Sequence, residues 1–154
     1  MKGVLDMLGA GAGRRNVRIL FTCAGRRVEL ITAFRRGARS LGLRPEIHVA
    51  DTEPYFAAAC IADRAHRVPP TQSADYIGAL LEIVRRRKID MLIPLIDTDL
   101  VKLAETRDDF ARLSCVAMIS APRVVRTCRD KLLTYRFLTR HGIDTPATWS
   151  PRDA

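Results

Sequence analysis

One segment of the sequence combines a glycine with two adjacent arginines just after an apolar run. In residues 22–27, Gly25 is followed by Arg26 and Arg27. If a strand ends and a helix begins here, free backbone N–H groups and the helix dipole attract an anion, to which an arginine adds a forked contact. The simpler alternative is a tight turn that needs one glycine and leaves both arginines in solvent. On the first interpretation, the predicted substrate contacts are Cys23, Ala24, Gly25, Arg26 and Arg27.

Acidic side chains follow two other apolar runs. Asp51 ends the first run, and residues 97–99 (Asp-Thr-Asp) follow the second. A carboxylate at the end of a strand can accept a hydrogen bond from a sugar or an amine. The alternative for Asp51 is a local one, in which it caps a turn with Thr52. We expect one of residues 97–99 to cap a helix, and the carboxylate that is left over to face the same edge as Asp51. We predict that a polar or amino-bearing group of the substrate contacts Asp51, Pro94, Asp97 and Thr98.

Lys131 stands directly after Asp130, at the predicted start of the last helix. An aspartate there is favourable to the helix dipole and a lysine is not. A lysine held against the local field is a candidate phosphate ligand, and the alternative is an ordinary exposed lysine. We predict no catalytic residue in this chain. The four cysteines show neither a CxxC motif nor a cysteine–histidine spacing typical of zinc, so we predict no metal site either.

Composition limits the class of protein. The chain has 154 residues, of which 47% are apolar and 28% charged, values typical of one globular domain. Its formal net charge of +9 invites a nucleic-acid interpretation, but the arginines are scattered and aromatic residues make up only 6%. We therefore expect no nucleic-acid partner. No apolar run approaches the ~20 residues that span a bilayer, so we expect no membrane partner, and the cysteine usage favours a reduced, cytoplasmic compartment.

Short apolar runs alternate with segments of helical periodicity along the chain. The runs predict strands at residues 17–23, 46–51, 65–68, 90–95 and 115–120. The periodic segments predict helices at residues 27–41, 73–87, 97–113, 122–128 and 130–141. This alternation indicates an α/β fold, a Rossmann-like, doubly wound and mainly parallel five-stranded sheet with helices on both faces. Such sheets bind ligands at the carboxyl ends of their strands, where the candidate residues converge.

A set of short strings adds a family resemblance to this pattern. They are residues 19–30 (ILFTCAGRRVEL), 49–54, 62–63, 68–69, 93–100 (IPLIDTDL), 128–131, 137–138 and 142–146. In this order they resemble the N-terminal (preATP-grasp) domain of carbamoyl-phosphate-synthase-like ATP-grasp ligases. The resemblance extends over about residues 17–150, with a cysteine at position 23 where the family usually has serine and an aspartate at position 99 where it usually has glutamate.

The resemblance implies an ATP-dependent ligase that activates a carboxylate as an acyl phosphate, which an amine then attacks. It implies ATP and Mg²⁺ as cofactors, a lysine at position 131 that approaches the ATP phosphates, and a small carboxylate or amino-acid-like substrate. In such enzymes two ATP-grasp subdomains, which hold Mg²⁺, follow the position of Pro146. We therefore expect a truncated or split ligase that is inactive alone, with the ATP-grasp domains as a possible separate partner chain.

The predicted organisation has three parts. Residues 1–16, which are rich in glycine with no strand before them, are a flexible leader. Residues 17–128 form the preATP-grasp domain, and residues 129–154 form a helix and linker that lead into the missing module. The main alternative is a stand-alone Rossmann-like module that binds a nucleotide or sugar phosphate at the Gly25 turn, although the turn lacks the GxGxxG motif of dinucleotide folds. Nucleic-acid binding is the third hypothesis.

Overall fold

Strands and helices alternate along residues 16–150, the part of the chain that the structure, a computed structural model, describes. The strands are β1 (Asn16–Thr22), β2 (Arg44–Asp51), β3 (Arg64–Arg67), β4 (Met91–Pro94) and β5 (Val116–Ala117). The helices are α1 (Val28–Ser40), α2 (Tyr76–Arg87), α3 (Asp97–Glu105), α4 (Arg107–Arg112), α5 (Pro122–Arg129) and α6 (Lys131–Arg140), and a short 3-10 helix spans Ala57–Cys60.

The five strands form one parallel sheet in the order β3-β2-β1-β4-β5. The chain moves outward from β1 to β3 and then crosses to β4, on the other side of β1. The direction of winding therefore reverses between β1 and β4, which makes this the topological switch point of a doubly wound sheet. The prediction of a Rossmann-like α/β fold is confirmed.

The central strand β1 is apolar because it is covered on both faces. Ile19 and Phe21 belong to one buried cluster with Ile31 of α1, whereas Leu20 belongs to a second cluster with Leu80 of α2. Successive residues of a strand point to opposite faces of a sheet, so these two clusters lie on the two sides of the sheet. An uninterrupted apolar run, rather than an alternating one, is the pattern that a strand buried in this way requires.

Two predicted elements differ from the structure. The helix predicted at residues 97–113 is two helices, because the chain breaks at Thr106, whose hydroxyl donates to the carbonyl oxygen of Lys102 at 2.8 Å. The fifth strand is shorter than residues 115–120, since only Val116 and Ala117 pair with β4. The predicted leader lies outside the described residues except for Asn16, which begins β1, and residues 151–154 lie outside them as well.

A chain of polar side chains joins the edge strand β3 to β2. His48 is wholly buried, its Nδ1 atom lies 2.9 Å from Nε2 of His66, and its Nε2 atom lies 3.2 Å from the Glu46 carboxylate. An ionised carboxylate only accepts hydrogen bonds, so His48 donates through Nε2 and His66 donates to Nδ1 of His48. Burial lowers the pKa of both histidines, that of His66 to about 4. Both rings are therefore neutral near pH 7.

We predict that this histidine pair makes the fold sensitive to acid. The pKa of His66 in the folded chain, about 4, lies below its ordinary value of 6.5, so the unfolded chain binds more protons between these two values. The contribution of the neutral pair is complete above the ordinary pKa and is lost as the pH falls towards the folded one. We expect wild type to lose about 1–2 kcal/mol more stability on acidification from pH 7 to 5 than His66→Gln does.

Urea unfolding of both proteins at the two pH values measures this difference. The exposed His141 provides the control, because His141→Gln should keep the pH dependence of wild type. The same pH dependence in wild type and His66→Gln would contradict the assignment of neutral rings.

Candidate functional site

A cleft of about 980 Å³ lies at the carboxyl ends of the strands, at the switch point. Each of the first four strands contributes a wall through the segment that follows it. The lining residues are Cys23 after β1, residues 51–53 at the end of β2, residues 67–72 at the end of β3, and Ile96 and Thr98 after β4. The position agrees with the rule that open α/β sheets bind ligands at this edge, so we take the cleft as the candidate site.

The turn between β1 and α1 is held by Asp51 of β2. Cys23 and Gly25 have left-handed backbone conformations, with φ of 51° and 43°. The N–H of Gly25 donates to Oδ2 of Asp51 at 2.9 Å, and the N–H of Thr52 donates to Oδ1 at 2.8 Å. Asp51 therefore caps its own turn, in agreement with the simpler interpretation. Its carboxylate also accepts from the N–H of Gly25, an amide that we expected to be free for a ligand anion.

The other residues of this turn lie apart from the cleft. Ala24 is wholly buried, with its N–H directed at the carbonyl oxygen of Ala50 at 3.4 Å. Arg26 and Arg27 are exposed and do not line the cleft. Within residues 16–150, neither guanidinium has a hydrogen-bond or ion-pair partner, so both side chains are solvated cations in this structure.

The prediction that one of residues 97–99 caps α3 is wrong. The N-cap position belongs to Ile96, and no side chain caps the helix. Asp97 and Thr98 are exposed, whereas Asp99 is wholly buried. Asp99 faces the sheet, and its carboxylate accepts hydrogen bonds from the hydroxyls of neighbouring elements.

Asp99 is the centre of a buried polar cluster behind the cleft. Its Oδ2 atom accepts from the hydroxyl of Thr22 at 2.7 Å and from that of Tyr76 at 2.9 Å. The Sγ atom of Cys23 lies 3.8 Å from the same oxygen. Among the described residues, nothing donates to the other oxygen, Oδ1. One carboxylate atom therefore joins the end of β1, the start of α2 and the first turn of α3.

Burial controls the chemistry of this cluster. It raises the pKa of Asp99, and it raises that of Tyr76 as well. Burial, together with the charges of Asp99 and Asp51, raises the pKa of Cys23 to about 11. Because the thiolate is the reactive form of cysteine, Cys23 presents a neutral S–H group to the cleft at pH 7. It is suited to contact a ligand and not to attack one.

A second pocket of about 390 Å³ is lined by three further candidate residues. Pro94, Asp97 and Lys131 line it, whereas Cys23, Asp51 and Thr98 line the first cleft. Lys131 begins α6, and Asp130 caps that helix by accepting from the N–H of Leu133 at 2.9 Å. The candidate substrate residues are thus not brought together: some line the first cleft, some line the second pocket, and residues 24–27 line neither. The candidate phosphate ligand lies in the second pocket.

Some residues of the site escaped the sequence reasoning. Thr22 and Tyr76 bind Asp99, yet both stand in or beside apolar segments, where a lone polar residue carries no specific signal. The sequence predicts a strand at residues 65–68 and gives no role to the wall formed by residues 67–72. The proline pair at positions 69–70 could have revealed it, because two prolines at the carboxyl end of a strand force an extended connection there.

Within residues 16–150, no group of three histidine, cysteine, aspartate or glutamate side chains is placed to hold a metal ion. No helix in that part of the chain has both the length and the apolar character needed to cross a bilayer.

We predict that removal of the Asp99 carboxylate destabilises the domain. Asp99→Ala leaves the hydroxyls of Thr22 and Tyr76 buried without an acceptor, which should lower the free energy of unfolding by about 2–4 kcal/mol. The control is Asp97→Ala in the same helix turn, which removes an exposed acid from the helix N-terminus and should cost at most about 1 kcal/mol. Urea unfolding at pH 7 measures both variants, and equal losses would contradict a structural role for the Asp99 cluster.

Solved structures of larger enzymes share this fold. Glycinamide-RNase-transformylase T from Mycobacterium tuberculosis matches 86% of the chain at 22% identity, with a TM-score of 0.62. The biotin carboxylase domain of a single-chain bacterial carboxylase matches 86% at 22% identity and a TM-score of 0.58. L-amino acid ligase from Bacillus licheniformis matches 88% at 18% identity and a TM-score of 0.58. The chain spans 38%, 30% and 32% of the length of these three structures.

The sequence itself identifies the family. None of the curated proteins matches the chain. The profile of the PylC-like N-terminal domain, however, matches residues 19–119, which is more than half of the chain and includes all five strands except the first residues of β1. The resemblance to the N-terminal domains of ATP-grasp ligases is thereby confirmed. The chain belongs to the PylC-like N-terminal domain family.

Proposed function

We propose that this domain supplies part of the substrate-binding surface of an ATP-grasp ligase, and that its cleft binds an amino-acid-like substrate. The observation that supports this most is the charge of the cleft. Asp51, Glu53 and Arg67 line it, giving a net negative site in a chain with a formal net charge of +9. A cleft of opposite sign to its protein favours a ligand that carries a positive group.

The lining suits both charged groups of an amino acid. The exposed carboxylate of Glu53 can accept from an ammonium group. Arg67 uses its Nε atom on the carbonyl oxygen of Thr52 at 3.2 Å, and its terminal nitrogens can bind a carboxylate. The neutral thiol of Cys23 adds a polar contact without a competing charge.

The proposed reaction is that of the ligase class. ATP supplies a phosphoryl group that converts a carboxylate into an acyl phosphate, and an amine displaces the phosphate to form an amide. Lys131, on the second pocket, would hold the ATP phosphates. The described residues do not fit Mg²⁺, because no three acidic, histidine or cysteine side chains converge, so we assign no Mg²⁺ ligand to them.

The exposed face of α6 supports a partner domain. No residue of this helix is buried, and the exposed fractions of Leu133 and Phe137 are 42% and 47%. Trp149, beyond the helix, is 72% exposed. Large apolar side chains exposed together mark an interaction surface. We propose that an ATP-grasp module, in the same or a separate chain, covers it, and that the protein is cytoplasmic, in keeping with four free cysteines.

A stand-alone module for a nucleotide or sugar phosphate is the second candidate. It would place a phosphate on the amides of the Gly25 turn, but the Asp51 carboxylate already accepts from the N–H of Gly25. A phosphate there would meet a fixed negative charge at close range. This contact favours the substrate domain over the phosphate-binding module.

We predict that the chain binds at least one amino acid through the cleft. Calorimetric titration with each of the twenty L-amino acids tests this, with NAD and a DNA duplex as the ligands of the competing hypotheses. Arg67→Gln and Glu53→Gln should each weaken the binding roughly 10- to 100-fold, the worth of one charged hydrogen bond. Arg44→Gln, at the opposite end of β2, should not change it. Binding of NAD, but of no amino acid, would contradict the proposal.

We also predict that the 154-residue chain forms no ADP when it is mixed with Mg²⁺, ATP and an amino acid. The reason is that phosphoryl transfer depends on positioned metal and phosphate ligands, and the described residues lack such a metal set. A coupled assay for ADP measures this. Steady turnover by the chain alone would show that the transfer site lies within it.

A further inference from the structure

One wall of the cleft is a loop with few bonds of its own. It belongs to residues 68–75, which connect β3 to α2. Pro69 and Pro70 have no N–H group to donate. Inside the loop, the N–H of Ser73 donates to the carbonyl oxygen of Pro70 at 2.8 Å. Such a loop needs an external anchor if Thr71 and Gln72 are to line the cleft in a fixed position.

Lys102 of α3 provides that anchor. Its Nζ atom donates to the carbonyl oxygen of Thr71 at 2.6 Å and to that of Ser73 at 3.0 Å. The side chain is only half-buried, but the Thr71 residue that it holds is 8% exposed. The ammonium group suits this task because its donors are distributed tetrahedrally and can meet two carbonyls that do not lie in one plane.

Lys102 stands one helical turn after Asp99, so the two side chains project from the same face of α3. Asp99 holds Tyr76, the first residue of α2, and Lys102 holds the loop that precedes it. One face of one helix therefore fixes both the loop and the helix into which the loop leads. Neither Asp99 nor Lys102 lines the cleft.

We propose that Lys102 is a positioning residue of the cleft, which sets the place of Thr71 and Gln72 and thereby the affinity of the site without touching the ligand. The part of this inference that concerns affinity rests on the proposed function, whereas the part that concerns the loop does not. Lys102→Met removes the donors and keeps the length of the side chain. Lys88→Met is the matched control, since it removes the same charge from a residue whose contact to Arg18 uses only its backbone carbonyl.

Amide hydrogen exchange, followed by NMR on the full chain, tests the loop. For Lys102→Met we expect exchange of the Ser73 amide, which donates to the carbonyl oxygen of Pro70, to become about tenfold faster, with the amides of β1 and β4 within about twofold of wild type. For Lys88→Met we expect no change at either place. An unchanged loop, an equal increase at all amides, or the same loop increase in Lys88→Met would overturn the proposal.

Lys102→Arg keeps the test decisive if Lys102→Met does not fold. It retains the charge but replaces the tetrahedral donors with a planar fork, so we expect a smaller but still selective increase at the Ser73 amide. An equal increase at all amides, with none specific to Ser73, would contradict positioning.

The ligand experiment separates this inference from the proposed function. In titrations with the twenty L-amino acids, Lys102→Met should weaken binding about tenfold or more and Lys88→Met should not. If wild type binds none of them, the proposed function fails, and the exchange experiment still decides the role of Lys102 in the loop. If wild type binds and Lys102→Met binds equally well, the positioning role is overturned while the proposed function stands.

Discussion

The arrangement of the site depends on the burial of one carboxylate. Removing an acidic side chain from water is expensive unless donors replace the water. For Asp99 the donors come from Thr22 and Tyr76, on two different elements. Because the Asp99 carboxylate must accept these hydrogen bonds, the end of the central strand is held against the starts of two helices. The cleft lies in front of this junction, and its geometry follows from it.

The local charge differs from one part of this protein to another. The basic residues that produce the net charge of +9 include Arg85, Arg86 and Arg87 in the last turn of α2, where cations are favourable to the helix dipole. These residues lie at the end of the sheet opposite the cleft, because α2 runs away from the carboxyl ends of the strands. The acidic groups Asp51 and Glu53 stand at the cleft. The basic last turn of α2 and the acidic groups of the cleft therefore lie at opposite ends of the sheet.

Structure can be predicted from this sequence where a residue type has only one physical use. The apolar run at residues 17–23 predicts a strand, and the two buried clusters on either side of β1 agree with it. The sequence does not predict the structure where two nearby residues of the same type could fill the same role. Nothing local distinguishes Asp97 from Asp99, and only the rotation of α3 against the sheet decides which one is buried. The contacts of Lys102 could not be predicted for a different reason, since its partners are backbone carbonyls, which every residue has.

The two edge strands of the sheet disfavour the pairing of a further strand in different ways. An open edge offers unpaired backbone groups to any extended chain. On β3, Arg64 and Arg67 are exposed, and their charge disfavours the approach of another copy. On the other side, β5 has only two paired residues, too few to serve as a template for another strand. A domain with a long apolar central strand can therefore remain at five strands.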